Sequence, residues 1–320
     1  MPQVDLDIEE LKKYKGCNPC PEDLDTYWND ALKELDSFDW NLSSKTAEFS
    51  APGVECFDLT FTGVGGCPIY AKYLRPENAQ GEMPVIIQFH GYLCNSGDWS
   101  EKLKYVYAGF TVLAMDCRGQ GGSSHDTVYN SGITMTGHII RGLNDGKEKL
   151  MYRSIFLDCV QIARIAMELP GVDPARIGVT GYSQGGALSL ACASLEPRIN
   201  RVAPVYPFLS DYKRVWDMDL DKGAYGELRT FFRFYDPNHN QQDEYFTTLG
   251  YIDIKNLTGR IKGNVLMGIT LMDEVCPPST QFAAFNNITS PKEHVIFYDH
   301  GHEELPGMND RIFSFFAEML

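Results

Sequence analysis

The run Arg176-Ile177-Gly178-Val179-Thr180-Gly181-Tyr182-Ser183-Gln184-Gly185-Gly186-Ala187-Leu188-Ser189-Leu190-Ala191-Cys192-Ala193 carries the clearest structural signal in the chain. Its opening is short and apolar and reads as a buried strand, and its close is rich in small residues and reads as a helix. Between them Gly181-Tyr182-Ser183-Gln184-Gly185 has the form of a nucleophile elbow, a tight strand-to-helix turn with a strained serine. Gly181 and Gly185 are expected there because Cβ atoms would collide where strand and helix cross. The turn exposes the hydroxyl, and the helix N-terminus behind it favours developing negative charge. Without a strand before and a helix after, the same pattern would be an ordinary glycine-rich turn.

Working outward, strands are expected at 84–90, 110–116, 176–181, 201–206, 263–270 and 293–298. Their continuous Val, Ile and Leu character fits a parallel sheet covered on both faces. Helical spacing marks 21–36, about 147–169 (Ile155, Cys159, Ile162, Ala166 and Leu169 on one face) and about 306–319 (burying Ile312, Phe315, Phe316 and Met319). Residues 55–74 alternate and break at Gly63-Val64-Gly65-Gly66, which predicts a hairpin. The expected fold class is α/β, with an antiparallel start and a mostly parallel sheet. Two segments interrupt the pattern: 120–146, rich in Gly and Ser, and 210–259, rich in aromatics and charge. Both follow strand ends, where loops build sites in open α/β sheets.

Composition narrows the function classes. The 320 residues are 43% hydrophobic and 22% charged, ordinary for a globular protein. A net charge of −15 argues against nucleic acid and against anionic membrane surfaces. No apolar stretch long enough for a membrane span and no secretory signal pattern is seen at the start of the sequence. Nine scattered cysteines read as free thiols in a reducing compartment, so a cytoplasmic location is expected. Cys17-Asn18-Pro19-Cys20 lacks a second pair at zinc spacing and reads as an N-terminal turn.

A nucleophilic serine needs a base, and the base an orienting acid, in the chain order Ser, Asp or Glu, His for the α/β-hydrolase fold. His302 and His300 follow the strand near 293–298, and His302 is favoured because it lies in the loop Gly301-His302-Glu303. The loop after 263–270 offers Asp273, with Glu274 as the alternative. The oxyanion hole needs two main-chain N–H donors, assigned to Gln184, after the nucleophile, and Tyr92, in the loop His90-Gly91-Tyr92. His90 is expected to pack structurally. Tyr92, Phe208 and Val275 are candidate walls of a small acyl pocket. No metal or cofactor is expected.

Three motifs coincide: Arg118-Gly119-Gln120, Gly181-Tyr182-Ser183-Gln184-Gly185 and His302-Glu303. With Asp273 to Thr280 and Tyr206-Pro207-Phe208-Leu209-Ser210, they make the chain resemble the acetyl xylan esterase / cephalosporin C deacetylase family, carbohydrate esterase family seven. The resemblance runs over nearly the whole chain. It implies a serine esterase that removes acetyl groups from short xylo-oligosaccharides and from cephalosporin C. It also implies a ring-like homohexamer, part of 210–259 serving as interface rather than lid, and Arg118 and Gln120 bracing loops around the site. The chain is then expected to be a single domain over 1–320, with an N-terminal extension of about 1–54 and an insertion of about 210–259. Competing readings are a broader acyl esterase or thioesterase of the same fold, a serine peptidase, and a hydrolase scaffold used for binding. About 80 N-terminal residues are too few for a peptidase propeller, and a dead scaffold would be expected to have lost Ser or His.

Overall fold

The computed structural model describes residues 4–79, 81–128 and 138–320. Among them nine strands form one sheet: β1 (Ser43–Thr46), β2 (Val54–Gly63), β3 (Cys67–Pro76), β4 (Met83–Phe89), β5 (Thr111–Met115), β6 (Val172–Tyr182), β7 (Arg201–Val205), β8 (Asn264–Thr270) and β9 (Lys292–Phe297). Their spatial order is β1-β2-β3-β5-β4-β6-β7-β8-β9. The first three strands are antiparallel, β3 joins β5 antiparallel, and every pairing from β5 outward is parallel. This is the expected mixed α/β architecture. The hairpin turns at Val64–Gly66, where Gly65 and Gly66 take φ of 74° and 78°, a left-handed backbone that glycine adopts without steric penalty.

Side chains alternate through the sheet, so its two faces build two apolar layers. Val85, Ile87 and Phe89 of β4 face the helices Met151–Glu168 and Gln184–Leu195. Ile86 faces the helices Leu103–Ala108 and Met308–Ala317. The helix after Ser183 has all twelve residues buried, which explains its small, apolar composition.

Three details depart from the sequence reading. Met151–Glu168 was expected to bury one face, yet of its residues only Ser154, Arg164 and Glu168 escape burial. The N-terminal helix Leu24–Glu34 covers its outer side: Trp28 stacks on Phe156 at 5.9 Å between centroids, and Arg153 pairs with Glu34 at 2.8 Å. Phe315 of the last helix is only half-buried, with the Arg201 guanidinium 4.7 Å from its ring centroid. Strand β1 was not expected, because Ser-Ser-Lys-Thr has no apolar alternation; all four residues are exposed and the strand hangs on the edge of β2.

The segment 210–259 folds into short helices at Tyr212–Asp217, Gly226–Tyr235, Gln242–Leu249 and Ile254–Leu257. Tyr212, Tyr225, Phe231, Phe232 and Phe246 are buried among them, whereas Phe234 is 75% exposed. Part of the segment 120–146 lies outside the described residues.

Candidate active site

Because β4, β6, β7, β8 and β9 run parallel, the loops that follow them leave the same sheet edge. Register pairs Phe89 with Gly181 and so sets the loop 90–98 beside the elbow. Ser183 sits at φ 56° and ψ −118°, a conformation that costs an L-residue on the order of 1–3 kcal/mol. Its main chain is pinned by bonds from Ser183 N to Val205 O (3.0 Å), Ala187 N to Ser183 O (3.0 Å) and Phe208 N to Ser183 O (3.1 Å). A Cβ on Gly185 would collide with the Phe89 carbonyl oxygen, and one on Gly181 with both that oxygen and the Gly185 main chain.

The loop after β8 delivers Asp273 into full burial. Its Oδ1 accepts from Val275 N and Cys276 N, both at 2.8 Å. Its Oδ2 accepts from His302 Nδ1 at 2.8 Å, with Thr270 Oγ1 at 3.3 Å and Gln281 Nε2 at 3.5 Å. These donors compensate the desolvation of a buried charge. Glu274 beside it is exposed. Donation to Asp273 assigns the His302 proton to Nδ1 and leaves Nε2 as a base. The Tyr206 ring packs against this imidazole at 4.6 Å. His300 takes no part in this pair; its carbonyl accepts from Met272 N at 3.0 Å.

Among the described residues no hydrogen bond joins Ser183 to His302. Nearby, burial and then the Asp273 carboxylate push the Cys276 thiol well up. Such serine–histidine bonds often close only when substrate binds.

Gln184 opens the helix, where a main-chain N–H has no intrahelical acceptor. Its buried side chain is fully engaged: Oε1 accepts from Tyr152 Oη and Gln120 Nε2, both at 2.8 Å, and Nε2 reaches His90 O at 3.3 Å. Gln120 Oε1 also accepts from Leu93 N at 2.9 Å. His90 Nε2 accepts from Cys117 N at 2.9 Å, so Nδ1 carries the proton toward Gly91 O at 2.7 Å. Burial holds its pKa below the usual histidine value. Arg118 is buried and forks onto Asp158 at 2.6 and 2.7 Å, beneath the hairpin turn, where Nη1 donates to Val64 O at 3.0 Å. The Tyr92 and Phe208 rings lie 5.7 Å apart, and Val275 is half-buried on the acid loop. A separate cavity of about 510 Å³ opens on the other face, between Tyr182, Tyr206, His90, Lys102 and Glu304, and neither Ser183 nor His302 lines it.

The sequence model of the family described as "Acetyl xylan esterase (AXE1)" matches residues 1–319. The chain belongs to the acetyl xylan esterase family. The structure superposes on acetyl xylan esterase 1 from Thermoanaerobacterium sp. JW/SL YS485 with a TM-score of 0.97 and 55% identity, covering 98% of this chain and 99% of that one. It superposes on an acetyl xylan esterase from Paenibacillus sp. R4 with a TM-score of 0.94 and 34% identity, covering 98% and 100% of the two chains. It is 28% identical over 306 residues to acetyl esterase Axe7A of Xylanibacter ruminicola, matching 92% of this chain; the chain spans 65% of that protein's length. The fold is that of the α/β hydrolases.

Within this acetyl xylan esterase family chain, sequence reasoning assigned no role to Cys276, Tyr152, His138 or Glu227. Cys276 stands three residues after Asp273, a spacing that returns its main-chain N–H to the carboxylate. That turn was the one signal available. Tyr152, His138 and Glu227 come from segments distant in sequence and carried none.

Proposed function

We propose that this chain is a serine esterase that removes acetyl groups from small acetylated carbohydrates, xylo-oligosaccharides foremost, and from cephalosporin C. One observation carries the reading: the 2.8 Å bond from His302 Nδ1 to Asp273 Oδ2, on the same sheet edge as the elbow serine. Membership of the acetyl xylan esterase family supports it.

Ser183 Oγ attacks the acetyl carbonyl carbon while His302 Nε2 takes its proton. Asp273 holds the imidazole tautomer and stabilises the imidazolium. The tetrahedral oxyanion accepts from the Tyr92 and Gln184 main-chain N–H groups, aided by the dipole of the helix Gln184–Leu195. As the C–O bond to the sugar breaks, His302 gives its proton to the leaving oxygen. Water then attacks the acetyl-enzyme, His302 takes the water proton, and acetate leaves as Ser183 is reprotonated. Tyr92, Phe208 and Val275 bound the acyl pocket, and its small size favours acetate over longer acids.

The catalytic unit is a single domain over 1–320, with an extension of about 1–54 and an insertion of about 210–259. It works as a cytoplasmic homohexamer. The solvent-facing Phe234 on the insertion supports an interface there, and nine free cysteines suit a reducing compartment. Hydrolysis of p-nitrophenyl acetate, butyrate and octanoate, with Ser183→Ala as control, tests the chemistry. A steep preference for acetate that the substitution abolishes is expected. A flat or long-chain preference overturns the acetyl reading, and activity above about a hundredth of wild type in Ser183→Ala overturns the nucleophile.

A further inference from the structure

Buried Glu227 and His138 and the half-buried Tyr92 form a hydrogen-bonded line beside the elbow that their ordinary protonation states cannot fill. Glu227 Oε1 lies 2.8 Å from Tyr92 Oη. Tyr92 Oη lies 2.8 Å from His138 Nδ1, and His138 Nε2 lies 3.2 Å from the Gly119 carbonyl oxygen. Each contact is a hydrogen bond and needs one proton between its heavy atoms. The terminal carbonyl supplies none. A neutral phenol supplies one and a neutral imidazole one, so two protons serve three links.

The third proton has two possible seats. It rides on Glu227 as a carboxylic acid, or on His138 as an imidazolium. In the first arrangement Glu227 donates to Tyr92, Tyr92 to His138 Nδ1, and His138 Nε2–H to Gly119. In the second, both imidazole N–H groups donate and Tyr92 donates to a carboxylate. The second puts two charges into the protein interior and the first puts none there, so desolvation favours the acid. Burial pushes the Glu227 carboxyl up to about 7 and holds the His138 imidazole below its usual range. Glu227 Oε2 accepts from Ile139 N at 2.7 Å and Ile140 N at 3.2 Å, which leaves Oε1 to carry the proton. The ionisable groups facing Glu227 are the phenols of Tyr92, Tyr152 and Tyr212, while Arg141 and Asp126 face His138.

We infer that Glu227 is held as a carboxylic acid that donates to Tyr92 and thereby positions the loop whose main-chain N–H receives the oxyanion. Glu227 is then a positioning residue. It acts from the insertion helix Gly226–Tyr235 across the elbow, tying Tyr92, the segment 138–140 and the Gly119 turn into one unit. The role in catalysis rests on Tyr92 being an oxyanion donor; the seat of the proton does not.

Two measurements on the full chain separate these points. Infrared spectroscopy of wild type below pH 7 should show the C=O stretch of a buried, protonated carboxyl, which titrates near neutrality and is absent from Glu227→Gln. Absence of that band from wild type overturns the proton assignment whatever the enzyme's activity. The pH dependence of kcat on p-nitrophenyl acetate tests positioning. The Gln amide donates to Tyr92 and its carbonyl accepts from Ile139 and Ile140, so Glu227→Gln should keep kcat within about threefold at pH 6 and lack the decline in kcat above pH 7 expected of wild type. Glu227→Leu should lower kcat about tenfold or more with little change in KM, a partial loss of one oxyanion donor. If Gln falls as far as Leu, the residue works as a carboxylate and the proposal fails. If Leu leaves kcat intact, the positioning role fails even with the infrared band present. Should Glu227→Leu not fold, the Gln profile and the spectrum still decide.

Discussion

Gln120 and Gln184 hold each other amide to amide: Gln120 Nε2 donates to Gln184 Oε1 at 2.8 Å, and Gln184 Nε2 returns a bond to Gln120 Oε1 at 3.1 Å. The same Gln120 oxygen accepts from Leu93 N. One side chain thus braces the two segments that carry the proposed oxyanion donors, Tyr92 and Gln184. Gln120→Leu should lower kcat about tenfold, a fraction of the about 10²–10³ lost with a whole donor. KM should shift less than about threefold, because substrate still binds. Steady-state kinetics on p-nitrophenyl acetate check this; a change confined to KM would place Gln120 in substrate binding instead.

The left-handed φ of 56° at Ser183 sets activity against stability. Ser183→Gly removes the proposed nucleophile and relieves the backbone, whereas Ser183→Ala removes it and keeps the strain. The Gly variant should be more stable than the Ala variant by about 1 kcal/mol. Paired denaturant titrations measure the difference, and equal midpoints would mean the elbow is relaxed.

Asp273→Asn keeps the side chain's shape but reverses one atom's role. The carboxylate takes His302 Nδ1–H on Oδ2 and two main-chain N–H groups on Oδ1. An amide NH₂ cannot accept on the side that faces His302, so the imidazole turns to its other tautomer and loses the base at Nε2. A fall in kcat of about 10⁴ is expected, as for a triad acid made amide. A loss under tenfold would return Glu274 to consideration.

Glu227 links stability to pH with a definite sign. Its carboxyl rises from an ordinary 4.5 to about 7 in the folded protein. The folded state therefore holds the proton more tightly than the unfolded chain does. The stabilisation is complete below the unfolded value, declines as pH rises from about 4.5 to about 7, and is gone above. At about 1.4 kcal/mol for each pH unit this amounts to about 3 kcal/mol. Glu227→Gln, which has no proton to lose, should lose less stability than wild type between pH 5 and pH 8. Thermal unfolding at the two pH values checks it, and parallel curves would contradict it.

Much of this molecule is written locally. Residues 176–193 specify strand, turn and helix through their own periodicity and glycines, and the strands ending at Phe89 and Thr270 are apolar runs that need no partner to be recognised. The order of Ser183, Asp273 and His302 along the chain could be read because each follows a strand of one parallel sheet. The rest was hidden for a physical reason. Met151–Glu168 is buried nearly all round because Trp28, over a hundred residues earlier, covers it, and no helical period encodes a distant lid. Glu227 and His138 each look like a surface polar residue in sequence, and only folding brings both within 3 Å of the Tyr92 hydroxyl. Strand β1 owes its conformation to the β2 edge rather than to its own residues.

The helix that begins at Gln184 has no solvent-facing side. Its amides are therefore among the last to exchange with water, opening only when the whole molecule opens. Ser183, the proposed nucleophile, hangs from a fully buried helix, so its geometry should not fray ahead of the rest. Heating should leave a population that is either fully competent or fully unfolded, and a residual rate then counts the molecules still native.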